Sequence, residues 1–146
     1  MSTIDTDKPA GLQLMELIRD GELPPPAAAL LLGLEIDDVS EGSITFAFTS
    51  DERFSNGRTT HGGILAAVAD FALSTAVLTS LDAGVDVVTT NLVVTYLRPV
   101  PLTGRFQCGG RVVHRGRALA HAEALMTDHA NRAVMRAAAT CHVSRA

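Results

Sequence analysis

Hydrophobic and polar residues alternate along much of the chain, and β-branched residues are frequent in the same segments, a pattern that predicts β-strands. The predicted strands are residues 34–40, 43–49, 87–97, 106–112, 118–126 and 133–143. The first two are joined by Glu41-Gly42, which predicts a hairpin. The last two place mostly alanine on one face, which allows another element to pack closely against them.

One long segment breaks this alternation. From about Gly62 to Leu81 the chain is apolar almost all round, and Asp70 is its one formal charge. A helix of this composition is normally buried, and burying a carboxylate without partners costs several kcal/mol. A functional role for Asp70 is therefore expected, with catalysis as the leading candidate. Gly84 is expected to end the helix.

The N-terminal region has a different character. Residues 1–9 are polar and are expected to be disordered, and residues 11–19 and 27–32 have the pattern of short helices. Pro26 near the start of the second helix and Gly33 after its end indicate its bounds. We therefore predict one α+β domain over residues 1–146, in which an antiparallel sheet of about five or six strands wraps a long central helix.

Composition narrows the classes of function. The chain has 146 residues and a net charge of −4, which argues against a general nucleic-acid-binding protein. Cys108 and Cys141 form neither a CxxC pair nor a zinc-like spacing with histidine, which fits a reducing, cytoplasmic setting. We expect no metal, no cofactor and no signal peptide. We also expect no membrane partner, because the apolar run before Asp70 is too short to span a membrane.

Three segments carry a family resemblance. They are FSNGRTTHGG at 54–63 with Asp70 after it, NLVVTYLRP at 91–99, and VVHRGR at 112–117. In this order they resemble the hotdog-fold acyl-CoA thioesterases of the 4-hydroxybenzoyl-CoA thioesterase superfamily, and most of all the phenylacetic-acid-degradation branch. The resemblance covers about residues 30–143. It implies the hotdog fold, hydrolysis of acyl-CoA to free acid and CoA, and a homodimer or homotetramer with the active site between subunits.

The resemblance also implies roles for individual residues. Asp70 would act as the general base on water or as the nucleophile, and the sequence leaves both open. The Gly63 N–H, at the N-terminus of the helix, would polarise the thioester carbonyl. Asn56 or His61 would orient the carbonyl or the water, and Ser74 would position that water.

Substrate-binding residues are predicted at three further places. Arg115-Gly116-Arg117 is the candidate for the CoA phosphates, because arginine pairs bidentately with phosphate and glycine lets the backbone approach. Gly62 suits a close backbone approach to the substrate. Asn91 is either a satisfied strand amide or a ligand contact.

Two other functions remain open at this point. His61 and Asp70 together also fit a hotdog hydratase or dehydratase that acts on acyl thioesters. A non-catalytic domain that binds acyl-CoA and regulates another process is the third candidate. Residues 1–33 contain no helix-turn-helix pattern and little positive charge, which weighs against that regulatory function.

Overall fold

A computed structural model describes residues 7–145 of the protein. The α-helices are α1 (Ala10–Arg19), α2 (Ala27–Leu32) and α3 (Gly62–Leu78). The strands are β1 (Glu35–Ser40), β2 (Ser43–Thr49), β3 (Val85–Tyr96), β4 (Arg105–Arg115), β5 (Leu119–Thr127) and β6 (Ala133–Arg145). A short 3₁₀ helix covers Glu52–Phe54. The predicted disorder of residues 1–9 falls mainly on residues 1–6, which lie outside the described residues.

The six strands form one antiparallel sheet in the order β1-β2-β4-β5-β6-β3. The hairpin predicted at Glu41-Gly42 joins β1 to β2, and Gly42 has the positive φ of +77° that such a turn requires. The twelve-residue strand β3 lies at one edge of the sheet and pairs with β6. The predicted hotdog architecture, a sheet around one long helix, is confirmed.

Small residues let α3 pack closely on the sheet, as the alanine-rich faces predict. Ala122 of β5 and Ala139 of β6 are buried beneath the helix. Gly110 of β4 lies closest to it, since a Cβ built there would lie only 2.2 Å from the carbonyl oxygen of Ala72. A side chain at this position would therefore push the helix away from the sheet.

The helix ends earlier than the sequence predicts. It stops at Leu78, three residues before Leu81, and the hydroxyls of Thr79 and Ser80 donate to carbonyl oxygens of its last turn at 2.7 Å. Such side-chain bonds compete with continuation of the helix. The expected stop at Gly84 is wrong, because Gly84 has a φ of +77° within the turn that precedes β3.

The turn after β4 also differs from the prediction. The predicted strands end at residue 112 and resume at residue 118, but β4 continues to Arg115. His114 and His121 lie across from each other in the ladder with their ring centroids 6.2 Å apart, and this pairing extends the strand. The Gly116 N–H then donates to the Leu119 carbonyl at 2.7 Å and closes a tighter turn.

The two N-terminal helices cover one flank of α3. Gly33 ends α2 in the left-handed conformation, as predicted. Met15 of α1, Ala29 of α2 and Phe71 of α3 line an apolar cavity of about 330 Å³ between these elements and β1. Within residues 7–145, no helix is long and apolar enough to cross a membrane.

Candidate active site

The candidate site lies where α3 and β3 run side by side in opposite directions. Asp70 of α3 contacts Thr89 of β3, and Gly62 at the start of α3 contacts Tyr96 at the end of β3. We call this strip, formed by residues 62–78 and 85–96, the α3–β3 edge. Because β3 has a neighbour on one side only, this strip is open along its length.

Asp70 occupies the middle of the α3–β3 edge. Its carboxylate is half-buried, and its Oδ1 accepts a hydrogen bond from the Thr89 hydroxyl at 2.7 Å. The Ser74 hydroxyl donates to the backbone carbonyl of Asp70 at 2.7 Å, one helical turn away. The Thr89 hydroxyl therefore holds Oδ1 in place, whereas Oδ2 accepts no hydrogen bond from the described residues.

Thr89 also contacts a buried thiol. Its Oγ1 lies 3.9 Å from the Sγ of Cys141. Burial raises the pKa of the Cys141 thiol, the Thr89 hydroxyl opposes this shift, and the nearby Asp70 charge adds to it. Cys141 is therefore a protonated, structural neighbour of the carboxylate and not a nucleophile at neutral pH.

His61 caps the N-terminus of α3. Its Nδ1 accepts a hydrogen bond from the Gly63 N–H at 2.9 Å. The Tyr96 hydroxyl donates to the Gly62 carbonyl at 2.5 Å. A Cβ on Gly62 would lie 3.1 Å from the Tyr96 ring and hydroxyl, so the tight contact favours glycine. Two side chains therefore fix the His-Gly-Gly backbone.

Asn56 lies beside this helix start. Its Oδ1 accepts from the backbone N–H groups of Arg58 and Thr59 at 3.2 and 3.1 Å, so the side chain shapes its own loop. Its amide nitrogen donates to no other described residue. Asn56, Gly62 and Tyr96 line one open cavity of about 330 Å³.

The structure brings some predicted residues together and separates others. Gly63 and Asp70 lie seven residues apart on one helix, which is about 10 Å along its axis. A catalytic group must come within about 3 Å of the atom on which it acts. These two groups of one chain therefore do not converge on one carbonyl.

Arg115, Gly116 and Arg117 lie at the other end of the α3–β3 edge. All three line a cavity of about 680 Å³ below the C-terminus of α3. The Arg115 guanidinium donates to the carbonyl of Ser80, just beyond the helix end. This bond ties the turn between β4 and β5 to α3, where a cation also complements the helix dipole.

Asn91 lies apart from all of these residues. It follows an irregularity in the pairing of β3 with β6 and is exposed on the outer face of the sheet, away from α3. There it lines a small cavity with His121 and Thr140. Within one chain, Asn91 contributes nothing to the surroundings of Asp70.

Sequence reasoning missed Thr89 and Tyr96 as members of this site. The inward-facing positions of β3 are otherwise apolar, namely Val85, Val87, Leu92 and Val94. Thr89 is the polar exception on that face, and this break in the pattern was a usable signal. No group of three or more metal-ligating side chains occurs among residues 7–145.

Comparison with known proteins gives one family and several similar folds. The model of the thioesterase superfamily matches residues 57–135, more than half of the chain. No curated protein sequence matches it. A phenylacetic acid degradation-related protein from Ralstonia eutropha JMP134 is 29% identical, with a TM-score of 0.80 over 87% of this chain and 97% of that one.

Two further solved structures share the fold at lower identity. The PaaI protein of Escherichia coli, from the phenylacetic acid degradation operon, is 22% identical, with a TM-score of 0.80 over 93% of each chain. A hypothetical thioesterase from Streptococcus pneumoniae TIGR4, solved with coenzyme A, is 24% identical, with a TM-score of 0.71 over 77% of this chain and 86% of that one.

Proposed function

The chain belongs to the thioesterase superfamily and is a thioester hydrolase, and from that premise we propose that its substrates are acyl-CoA thioesters and that Asp70 is its catalytic carboxylate. The observation that carries this proposal is the Asp70 carboxylate, held by Thr89 through one oxygen and open at the other. The similar fold solved with coenzyme A supports CoA as the thiol portion. Hydrolysis is favoured over the hydratase and regulatory functions by the family match.

The reacting atom of Asp70 is Oδ2, the carboxylate oxygen that Thr89 leaves free. As a general base it takes a proton from water, the resulting hydroxide attacks the carbonyl carbon, and the carbon–sulfur bond then breaks to release acid and CoA. As a nucleophile it attacks the carbonyl carbon directly, the carbon–sulfur bond breaks to release CoA, and water then hydrolyses the mixed anhydride to the free acid and regenerates the carboxylate. The hydrogen bond from Thr89 leaves both routes open, because it occupies only Oδ1.

Gly63 supplies the hydrogen bond to the developing oxyanion. Its N–H points out of the first turn of α3, where the helix dipole favours negative charge. In the free protein this N–H donates to His61 Nδ1. The thioester carbonyl must therefore replace the imidazole, so His61 is a cap that leaves when substrate binds. The amide nitrogen of Asn56 supplies a second donor from the adjoining cavity.

Two copies of the chain complete each site. Because Gly63 and Asp70 of one chain lie about 10 Å apart, Asp70 acts with Gly63 and Asn56 of a second subunit. The long edge strand β3 supports this arrangement, since its outer backbone groups are free to pair. Val88 and Val93 of this strand are 60% and 57% exposed, as expected for a strand buried by assembly into a dimer or tetramer.

The remaining predicted residues take supporting roles in this proposal. Ser74 fixes the backbone around Asp70 and lies next to the attacking water. Arg115 and Arg117 hold the CoA phosphates, and Gly116 permits the tight turn between them. Asn91, on the outer face of the sheet, contacts substrate only if assembly brings that face to a neighbouring site.

The proposal is tested by release of free CoA thiol from short, medium, long and aryl acyl-CoA, followed with a thiol-reactive dye. We expect turnover by the wild type and a loss of about 10²–10⁴-fold in kcat for Asp70→Asn, the usual contribution of a catalytic acid or base. Asp86→Asn, which changes an exposed carboxylate of β3 in the same way, serves as the matched control and should retain most activity. Equal turnover by the wild type and Asp70→Asn would remove Asp70 from the mechanism.

A further inference from the structure

The cavity below the C-terminus of α3 contains a cation that the sequence did not single out. Besides Arg115 and Arg117, Arg145 at the end of β6 lines it. Arg145 pairs across from Val85 at the start of β3 and lies two residues after the buried Val143, on the same face of the strand. Its side chain is therefore directed to the same side of the sheet as α3.

A backbone contact brings the arginines together. The Val143 N–H donates to the Ala118 carbonyl at 2.8 Å, which fixes the turn between β4 and β5 against β6. Arg115 is anchored in addition to the carbonyl of Ser80. Two strands and one helix end thus bring the three arginines around one cavity, and the Arg115 guanidinium is held there before any ligand binds, which lowers the cost of binding.

The cavity is strongly positive in a chain that is negative overall. Three arginines and one carboxylate, Asp82, line it, whereas the whole chain has a net charge of −4. Arg117 and Arg145 form no ion pair with the described residues, unlike Arg105 and Arg111, which pair with acidic side chains. Unpaired guanidinium groups that face one cavity are suited to bind phosphate.

The arginine cavity lies at a distance from Asp70 along the α3–β3 edge. Leu78, the last residue of α3, follows Asp70 by eight residues, about 12 Å at the helical rise. Along β3, Val85 precedes Thr89 by four residues, about 13 Å at the rise of a strand. Both paths separate the cavity from the carboxylate by about 12–13 Å along the edge, so a ligand that reaches both places must be extended, as a thioester joined to nucleotide phosphates by a pantetheine arm is.

We propose that Arg145 joins Arg115 and Arg117 in a three-arginine site for the nucleotide phosphates of CoA. This inference rests on the proposed acyl-CoA substrate and adds a determinant of thiol specificity to it. The site selects thioesters of CoA, with its diphosphate and 3′-phosphate, over thioesters of pantetheine, which lack them. Arg145 binds substrate here and takes no part in the bond-breaking step.

The test compares Arg145→Gln with the wild type on one acyl group attached to CoA, to dephospho-CoA and to pantetheine. We expect KM for the acyl-CoA to rise about tenfold, as for the loss of one charge-assisted hydrogen bond. We also expect an unchanged kcat and an unchanged kcat/KM for the acyl-pantetheine. Arg136→Gln, on the outer face of the same strand, is the matched control and should match the wild type.

Binding of free CoA, measured by calorimetry at two salt concentrations, separates this inference from the proposed function. If the wild type hydrolyses no thioester, acyl-CoA hydrolysis fails, and weaker, less salt-sensitive CoA binding by Arg145→Gln still supports the site. If Arg145→Gln binds CoA as the wild type does, or loses acyl-pantetheine and acyl-CoA turnover equally, the three-arginine site is wrong.

Discussion

The two flanks of α3 have opposite characters. On the flank towards β1, the helix is covered by α1 and α2, and the rings of Phe71 and Phe46 meet edge to face at 6.3 Å. On the flank towards β3 it presents Asp70 and Ser74, which are only half covered. The same helix therefore fills the core and carries the candidate catalytic carboxylate. The difference arises because the N-terminal helices close one flank, whereas the edge strand leaves the other open.

The packing of α3 on the sheet should be sensitive to a single methyl group. Gly110→Ala places a Cβ 2.2 Å from the Ala72 carbonyl oxygen, so we expect the free energy of unfolding to fall by about 1–3 kcal/mol or more. Gly109→Ala is the matched control, because its Cβ would lie 3.5 Å from the Thr45 hydroxyl, an ordinary contact. Urea unfolding of both variants checks this, and equal stabilities would show that the helix adjusts without cost.

Substitutions on the open flank should lower activity more than stability. Thr89→Val keeps the shape of the side chain and removes the hydrogen bond to Asp70. We expect kcat for acyl-CoA hydrolysis to fall about tenfold, the usual scale for one hydrogen bond to a charged group. Thr90→Val is the control, because the Thr90 hydroxyl donates to the Thr140 carbonyl and does not contact Asp70. Similar losses in the two variants would mean that Thr89 does not position the carboxylate.

Much of this contrast was predictable from the sequence, because its causes are local. The apolar run around Asp70 predicts the central helix, and Pro26 with Gly33 predicts the bounds of α2. The helix end was misplaced because Thr79 and Ser80 compete for its last carbonyls through short hydroxyl bonds that hydropathy does not reveal.

The organisation of the site depends on long-range pairing, which periodicity does not encode. The pairing of β3 with β6 places Thr89 beside Asp70 and Arg145 beside the turn that carries Arg117. The capping of Gly63 by His61 depends on the orientation of one side chain. The sequence therefore predicts which chemical groups the site contains, but not which residues contact them in the folded chain.

The two cysteines provide the smallest expected effect. Burial raises the pKa of the Cys108 thiol, beneath α3, to about 12, and burial also raises the pKa of the Cys141 thiol beside Thr89. A raised pKa keeps a thiol protonated, and only the thiolate reacts readily with a thiol-reactive dye. At about pH 8 we expect no reaction from the folded protein and reaction of both thiols after unfolding. Rapid labelling of the folded protein would show that the α3–β3 edge opens.

The central claim is that each site combines Asp70 of one subunit with Gly63 of another. Asp70→Asn removes the catalytic carboxylate, and Gly63→Pro removes the oxyanion N–H within the first turn of α3, where this N–H donates to the His61 side chain and to no backbone carbonyl of the described residues. Each variant alone should be inactive while retaining its fold and its oligomeric mass, measured by circular dichroism and light scattering.

The most direct measurement is the activity of the mixed dimer, purified by two different affinity tags from cells that produce both variants. One of its two sites then contains Asp70 and Gly63 intact, so we predict about half of the wild-type kcat per dimer. A mixed dimer as inactive as its two parents would contradict the account, because it would place both groups in a site formed by a single chain.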